Sequence, residues 1–183
     1  MTKSGTPGGT TSGTPGGSSA EDLDGFGVAV TREEGRWKCR ALTSAALTSL
    51  ATAETELREL RSSGAVFGLL NVDDEFFVVV RPAPSGTRLL VSDATMAVDY
   101  DIAADVLDAL NIEIPDIDPD ELDEVEPWEE GDLAILADMG LPDPVLAVIL
   151  SETELYPDEQ IEEIAQRLGF DDVLSSALDK LQK

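Results

Sequence analysis

The stretch AVFGLLNVDDEFFVVVRPAPSGTRLLV, Ala65 to Val91, decides the fold. Its apolar runs AVFGLLNV, EFFVVVRP and TRLLV, the last continuing into Ser92-Asp93, read as three successive strands. Asp73-Asp74 between the first two is a hairpin-type connection. Phe76–Val80 is apolar without alternation, so this strand is expected at the centre of a sheet, covered on both faces.

Upstream, GFGVAVTR and RWKCRAL flank EEG and predict another hairpin. In its second strand Arg36, Lys38 and Arg40 alternate with Trp37, Cys39 and Ala41, which places the cations on one face. Such a strand is most simply a solvent face over a core face, with Cys39 a buried structural thiol. The sharper alternative is a basic stripe that receives acidic groups, including this chain's own. Ala46, Leu50, Ala53, Leu57 and Leu60 then recur at helical spacing, with Gly64 as the expected stop. Downstream of the strands, Ile102, Ala103, Val106, Leu107 and Leu110 form one helical face. The order β-β-α-β-β-β-α with short connections predicts an α+β fold, an antiparallel sheet packed by helices.

Four short helices are expected after Asp132. Leu133, Leu136 and Met139 lead to Gly140; Asp143 caps DPVLAVILS; Ile161, Ile164, Ala165 and Leu168 lead to Gly169; Asp171 caps the last. They predict a small C-terminal helical bundle, marginal alone for its size. Residues 1–22 repeat SGTPGG and lack the composition for a core. The expected organisation is thus a disordered tail over 1–22, a sheet domain over 23–110, an acidic linker over 111–132 and a bundle over 133–183.

Composition excludes several functions. The chain has no histidine and one cysteine, so Ser-His and Cys-His nucleophile pairs and a typical zinc site cannot be built. The lone Cys39 has no partner for an internal disulfide. The longest apolar runs are too short to cross a bilayer, and no signal-peptide pattern opens the sequence, so a cytoplasmic protein is expected. The net charge of −26 repels phosphate backbones and anionic membranes and favours a basic protein partner. Neither direct nucleic-acid binding nor membrane binding is expected.

The acidity peaks in NIEIPDIDPDELDEVEPWEEGD, Asn111–Asp132, with eleven acidic residues and no basic one. Asp116, Asp118 and Asp120 have the spacing that opens a calcium loop, but Glu121 stands where glycine belongs and Pro127 where the bidentate glutamate belongs. No metal, cofactor or catalytic residue is therefore assigned. Asp118 can cap and Pro119 can begin a short helical turn carrying Leu122 and Val125. Interspersed apolar residues suit either packing onto the chain itself or anchoring a basic partner. The candidate partner-binding residues are Asp116, Asp118, Asp120, Asp123, Glu124 and Trp128.

GFGVAVTREEGRWKCRAL, VDDEFFVVVRPA, LLVSDATMAVDYDIAADVLDAL and EPWEEGDLAILADMGLP resemble the bacterial tRNA adenosine deaminase-associated proteins, over about residues 24–183. The resemblance implies association with the deaminase that makes wobble inosine in tRNA, and it carries no catalytic residues. A zinc deaminase needs His-x-Glu and Pro-Cys-x-x-Cys, and this chain has neither. The leading expectation is a non-catalytic accessory or regulatory partner of that deaminase. A nucleic-acid mimic occupying basic surfaces is the alternative, and an enzyme using carboxylates alone comes third.

Overall fold

A computed structural model describes residues 24–181; the expected tail at 1–22 lies outside them. The elements are strands β1 (Gly25–Glu33) and β2 (Arg36–Ala41), helix α1 (Leu50–Glu59), strands β3 (Ala65–Val72), β4 (Phe76–Ala83) and β5 (Gly86–Val91), helix α2 (Asp101–Ala109), a short strand β6 (Glu130–Gly131), and helices α3 (Asp143–Ser151), α4 (Pro157–Leu168) and α5 (Asp171–Leu181). They form one six-stranded antiparallel sheet of order β2-β1-β3-β4-β5-β6 with helices on it, an α+β fold.

The hairpins follow from local chemistry. Glu34 and Gly35 both take positive φ, the two-residue turn whose twist matches that of the strands. Asp73 and Asp74 also sit in the left-handed region, which aspartate tolerates better than most residues. β4 lies between β3 and β5, as its unbroken apolar run predicts. Its alternate residues feed two separate cores. Phe77 and Val79 join Val28, Val30, Phe67, Leu69 and Leu90 on one face. Phe76, Val78 and Val80 join Leu70, Val72 and Val91 on the other, under α1 and α2.

The first face is covered by the C-terminal helices. Leu146 and Ile149 of α3, Ile161 and Ile164 of α4, and Leu174 of α5 share one cluster with the strand residues. Phe170, before α5, touches both partners: its ring lies 5.1 Å from Trp37 and 6.0 Å from Phe67. Trp37 and Cys39 of β2 pack on this face as their alternation predicts, and Arg32 lies over the Trp37 ring at 5.1 Å.

The structure differs from expectation in detail. The stripe at residues 46–60 is broken, a 3-10 turn (Ser44–Leu47) preceding α1, because the Ser49 side chain caps the Thr52 amide and starts a new helix. Helix α1 ends at Glu59 with Leu60 as its extended C-cap, so Gly64 is not its stop. A Cβ at Gly64 would lie 1.8 Å from the Arg32 carbonyl oxygen, so glycine there lets β3 approach β1. Leu133–Met139 form turns and a 3-10 segment rather than a helix. Asp132 and Asp138 pull this segment onto Arg88 and Arg81, which also bond the carbonyls of Ala134 and Ile135. Asp143 and Asp171 are the first residues of α3 and α5, one position inside the expected caps. β6 was not expected: Gly131, at φ 120°, brings the chain against Leu89, where a Cβ would meet the carbonyl oxygen at 2.3 Å.

Phe170→Ala should cost about 3–5 kcal/mol. Because Phe170 joins α5 to the sheet, urea unfolding in a Trp128→Phe background, followed by Trp37 fluorescence and by far-ultraviolet circular dichroism, should give one coincident, shifted transition. Helical signal lost before the fluorescence change would contradict a shared core.

Candidate functional site

The acidic segment begins where α2 ends. Asn111 takes positive φ, and the Ile112 amide donates to the Leu107 carbonyl at 2.8 Å, closing the helix. Ile112 packs against the core under α2, while Ile114 is 50% exposed. Asp118 then caps a 3-10 helix, Pro119–Glu124, accepting from the Asp120 amide at 3.0 Å, with Pro119 in its first turn. Asp116, Asp118, Asp120, Asp123 and Glu124 are all exposed. Trp128 is 38% exposed and belongs to neither core, but its backbone is fixed: its carbonyl accepts from the Ala94 amide at 2.7 Å.

This path brings Asp123 to one end of the sheet, beside the β3–β4 turn. Burial raises the pKa of Glu75 above the ordinary carboxylate value, and the charges of Asp73, Asp123, Asp74 and Asp93 raise it further. Asp73 accepts from the Tyr100 hydroxyl at 2.6 Å and from the Asp24 amide at 3.2 Å. Burial, with that bond and the neighbouring carboxylates, pushes the Tyr100 phenol up. Asp93 accepts from the Thr95 amide and hydroxyl, yet burial still holds its pKa above the usual range. Like charges are thus gathered, and among the described residues no cation is paired with them. Both described ion pairs, Arg81–Asp138 and Arg88–Asp132, lie elsewhere.

Of the residues singled out in the sequence, the structure brings Asp123 into this cluster and sets Trp128 along its border through the Asp93–Ala94 backbone. Asp73, Asp74, Glu75 and Asp93 were missed as site residues. The Asp-Asp turn was visible, but its approach to Asp123 depends on a contact across the fold.

The basic stripe does not receive the acidic segment. Arg36, Lys38 and Arg40 lie on β2, one edge of the sheet, and the segment leads into β6, the other edge. Five strand spacings, about 24 Å, separate them. Lys38 and Arg40 instead line a shallow groove with Arg61 and Glu33. Hydrogen bonds from Ser62 and Ser63, with the nearby Lys38 charge, lower the Glu33 pKa.

Among the described residues no three cysteine or carboxylate side chains converge as metal ligands. Burial pushes the Cys39 thiol up to about 12, which leaves almost no thiolate at neutral pH. No helix among them is long and apolar enough to cross a membrane.

A family model described as "Rv3753c-like tRNA adenosine deaminase-associated protein" matches residues 25–171. The chain is 66% identical over 163 residues to "Protein Rv3753c" of Mycobacterium tuberculosis (strain ATCC 25618 / H37Rv), covering 89% of this chain and 92% of that protein. No solved structure matches.

Two carboxylates should respond to substitution with opposite sign. The folded pKa of Glu75 is raised, so its charged form opposes folding and wild-type stability falls as pH rises through that value. Glu75→Gln should raise the melting temperature at pH 7 by about 1–2 °C, a screened surface effect. The gain should vanish below about pH 4, where the unfolded side chain is also protonated. Asp138 has a folded pKa lowered first by its hydrogen bond to Arg81, so its contribution is present above about pH 3.9 and lost as pH falls through the folded value. Asp138→Asn should lower stability at pH 7 by less than about 1 kcal/mol. Melts of both variants from pH 3 to 8 check the signs.

Proposed function

The chain belongs to the Rv3753c-like tRNA adenosine deaminase-associated protein family, and from that membership we propose that it is a non-catalytic accessory partner of a tRNA adenosine deaminase. The family description associates its members with the deaminase and does not describe them as that enzyme. The chain's own composition agrees: with no histidine and one cysteine it lacks the zinc ligands for the reaction.

One observation carries the docking half of the reading. The acidic segment, the β3–β4 turn and the end of β5 hold Asp123, Asp73, Asp74, Glu75 and Asp93 together, and burial first, then the charges of these neighbours, raises the pKa of Glu75. A surface that opposes folding is explained when a cationic partner neutralises it. An enzyme that binds tRNA carries such a surface for the phosphate backbone. In the proposed complex the carboxylates, including Asp116, Asp118, Asp120 and Glu124, steer the approach. The exposed ring of Trp128 then docks as the aromatic anchor. Apolar contact at Trp128 slows dissociation, whereas charge mainly sets association and its salt dependence.

Surface plasmon resonance against the deaminase of the same organism tests this. Neutralising Asp116, Asp118, Asp120, Asp123 and Glu124 to Asn or Gln should slow association about tenfold or more and flatten its salt dependence. Trp128→Ala should speed dissociation by about tenfold, with a melt of the variant to separate this from the stability lost where the 38% exposed residue packs on the chain. The chain alone should form no inosine in tRNA. Absence of binding to the deaminase, or unchanged kinetics in both variants, overturns the docking reading.

A further inference from the structure

We propose that the cleft between the Asn71 end of the sheet, α4 and α5 binds a linear aliphatic polyamine through its ammonium groups. The cleft has a volume of about 400 Å³. Four carboxylates line it: Asp74 from the β3–β4 turn, Asp158 and Glu162 from α4, and Asp171 from α5. Among the described residues no lysine or arginine lines it.

The second observation is a buried acceptor with nothing to accept. Asn71 is 1% exposed, and its Oδ1 has no hydrogen-bond partner. The side chain cannot be turned to cure this. Its Nδ2 donates to Asp74 Oδ1 at 2.8 Å, and a flipped amide would set its oxygen against that carboxylate. Asn71 follows Phe67 and Leu69 at steps of two along β3 and pairs with Phe26 and Phe77, so it projects from the same face, the one that carries α4 and α5. It lines the cleft there. An unpartnered buried carbonyl costs about 1–3 kcal/mol, which a donor in the cleft restores once it displaces the atoms covering that oxygen. A carbonyl beside carboxylates calls for a ligand with several N–H donors and positive charge.

Shape selects among cations. The lining runs along α5 from Asp171 through Leu174 and Leu178 to Leu181, about 15 Å at the helical rise. The carboxylates do not converge as metal ligands. Methylene stems suit the leucines and Phe26, while spaced ammonium groups suit carboxylates spread along a groove. A single lysine head would answer one of the four. The inference rests on this cleft alone and not on the deaminase reading.

Calorimetric titration of the full chain with spermidine, at about 150 mM salt to screen diffuse attraction, tests it. One-site binding is expected. Asp158 and Glu162 are exposed, so the double variant Asp158→Asn/Glu162→Gln should fold and bind about tenfold more weakly. Asn71→Leu, close in volume and without the acceptor, should weaken binding likewise, with a melt to confirm folding. Glu59→Gln/Asp108→Asn removes the same charge at exposed positions outside both sites and should leave affinity within about twofold. Three results overturn the proposal: no saturable heat with spermidine, equal weakening by the two double variants, or a lysine peptide binding as tightly as spermidine.

Discussion

Everything in this fold hangs on β4 being apolar on both sides. A strand with Phe77 and Val79 facing one way and Phe76, Val78 and Val80 facing the other cannot end at solvent on either face. Helices α1 and α2 satisfy one side. The other would expose Phe67, Leu69, Phe77 and Leu90 unless α3, α4 and α5 closed over it. Helices α3 to α5 and the sheet therefore supply each other's missing core, which a short helical bundle could not supply alone. Phe170 is the contact where this dependence is most direct, because its ring meets both Trp37 of the edge strand and Phe67 of a central one.

Once both faces are covered, the surface is left to charge, and the charge is segregated. Arg81 and Arg88 hold the segment after β6 against the strands, where each also bonds a carbonyl; they are structural cations. Arg36, Lys38 and Arg40 stand at the β2 edge. Among the described residues no ion pair forms at the β3–β4 turn to offset Asp73, Asp74, Glu75, Asp93 and Asp123. Such an arrangement gives up stability at neutral pH, and proteins commonly accept that loss where a surface acts on something else.

What the sequence revealed and what it hid divide along the range of the interactions. The strands, the central place of β4 and the hairpin at Glu34-Gly35 were legible because pattern and turn chemistry are local. So was the Asp118–Pro119 start of the 3-10 helix. β6 was not legible, since two residues have no periodicity and Gly131 matters only because Leu89 lies beside it. Gly64 misled for the same reason: a glycine near a helix end reads as a stop, while its use is the close passage of the Arg32 carbonyl. Leu133, Leu136 and Met139 kept helical spacing, but Arg88 and Arg81 bind the carbonyls of Ala134 and Ile135, taking them from a helical ladder.

The same division explains the candidate site. The acidic segment announces itself by composition, yet composition cannot say which of eleven carboxylates faces another charge. The answer is set by the path from Asn111 to β6. That path is pinned at one end by the closure of α2 on Leu107 and at the other by the bond from Ala94 to the Trp128 carbonyl and the pairing of Gly131 with Leu90. Between these anchors the 3-10 helix carries Asp123 to Glu75. A segment held at both ends differs from a free acidic tail. It presents its carboxylates from a defined place, so a partner loses less conformational entropy in meeting them. Fixed charge beside an exposed indole ring thus joins long-range attraction to a short-range hold on one face of the molecule.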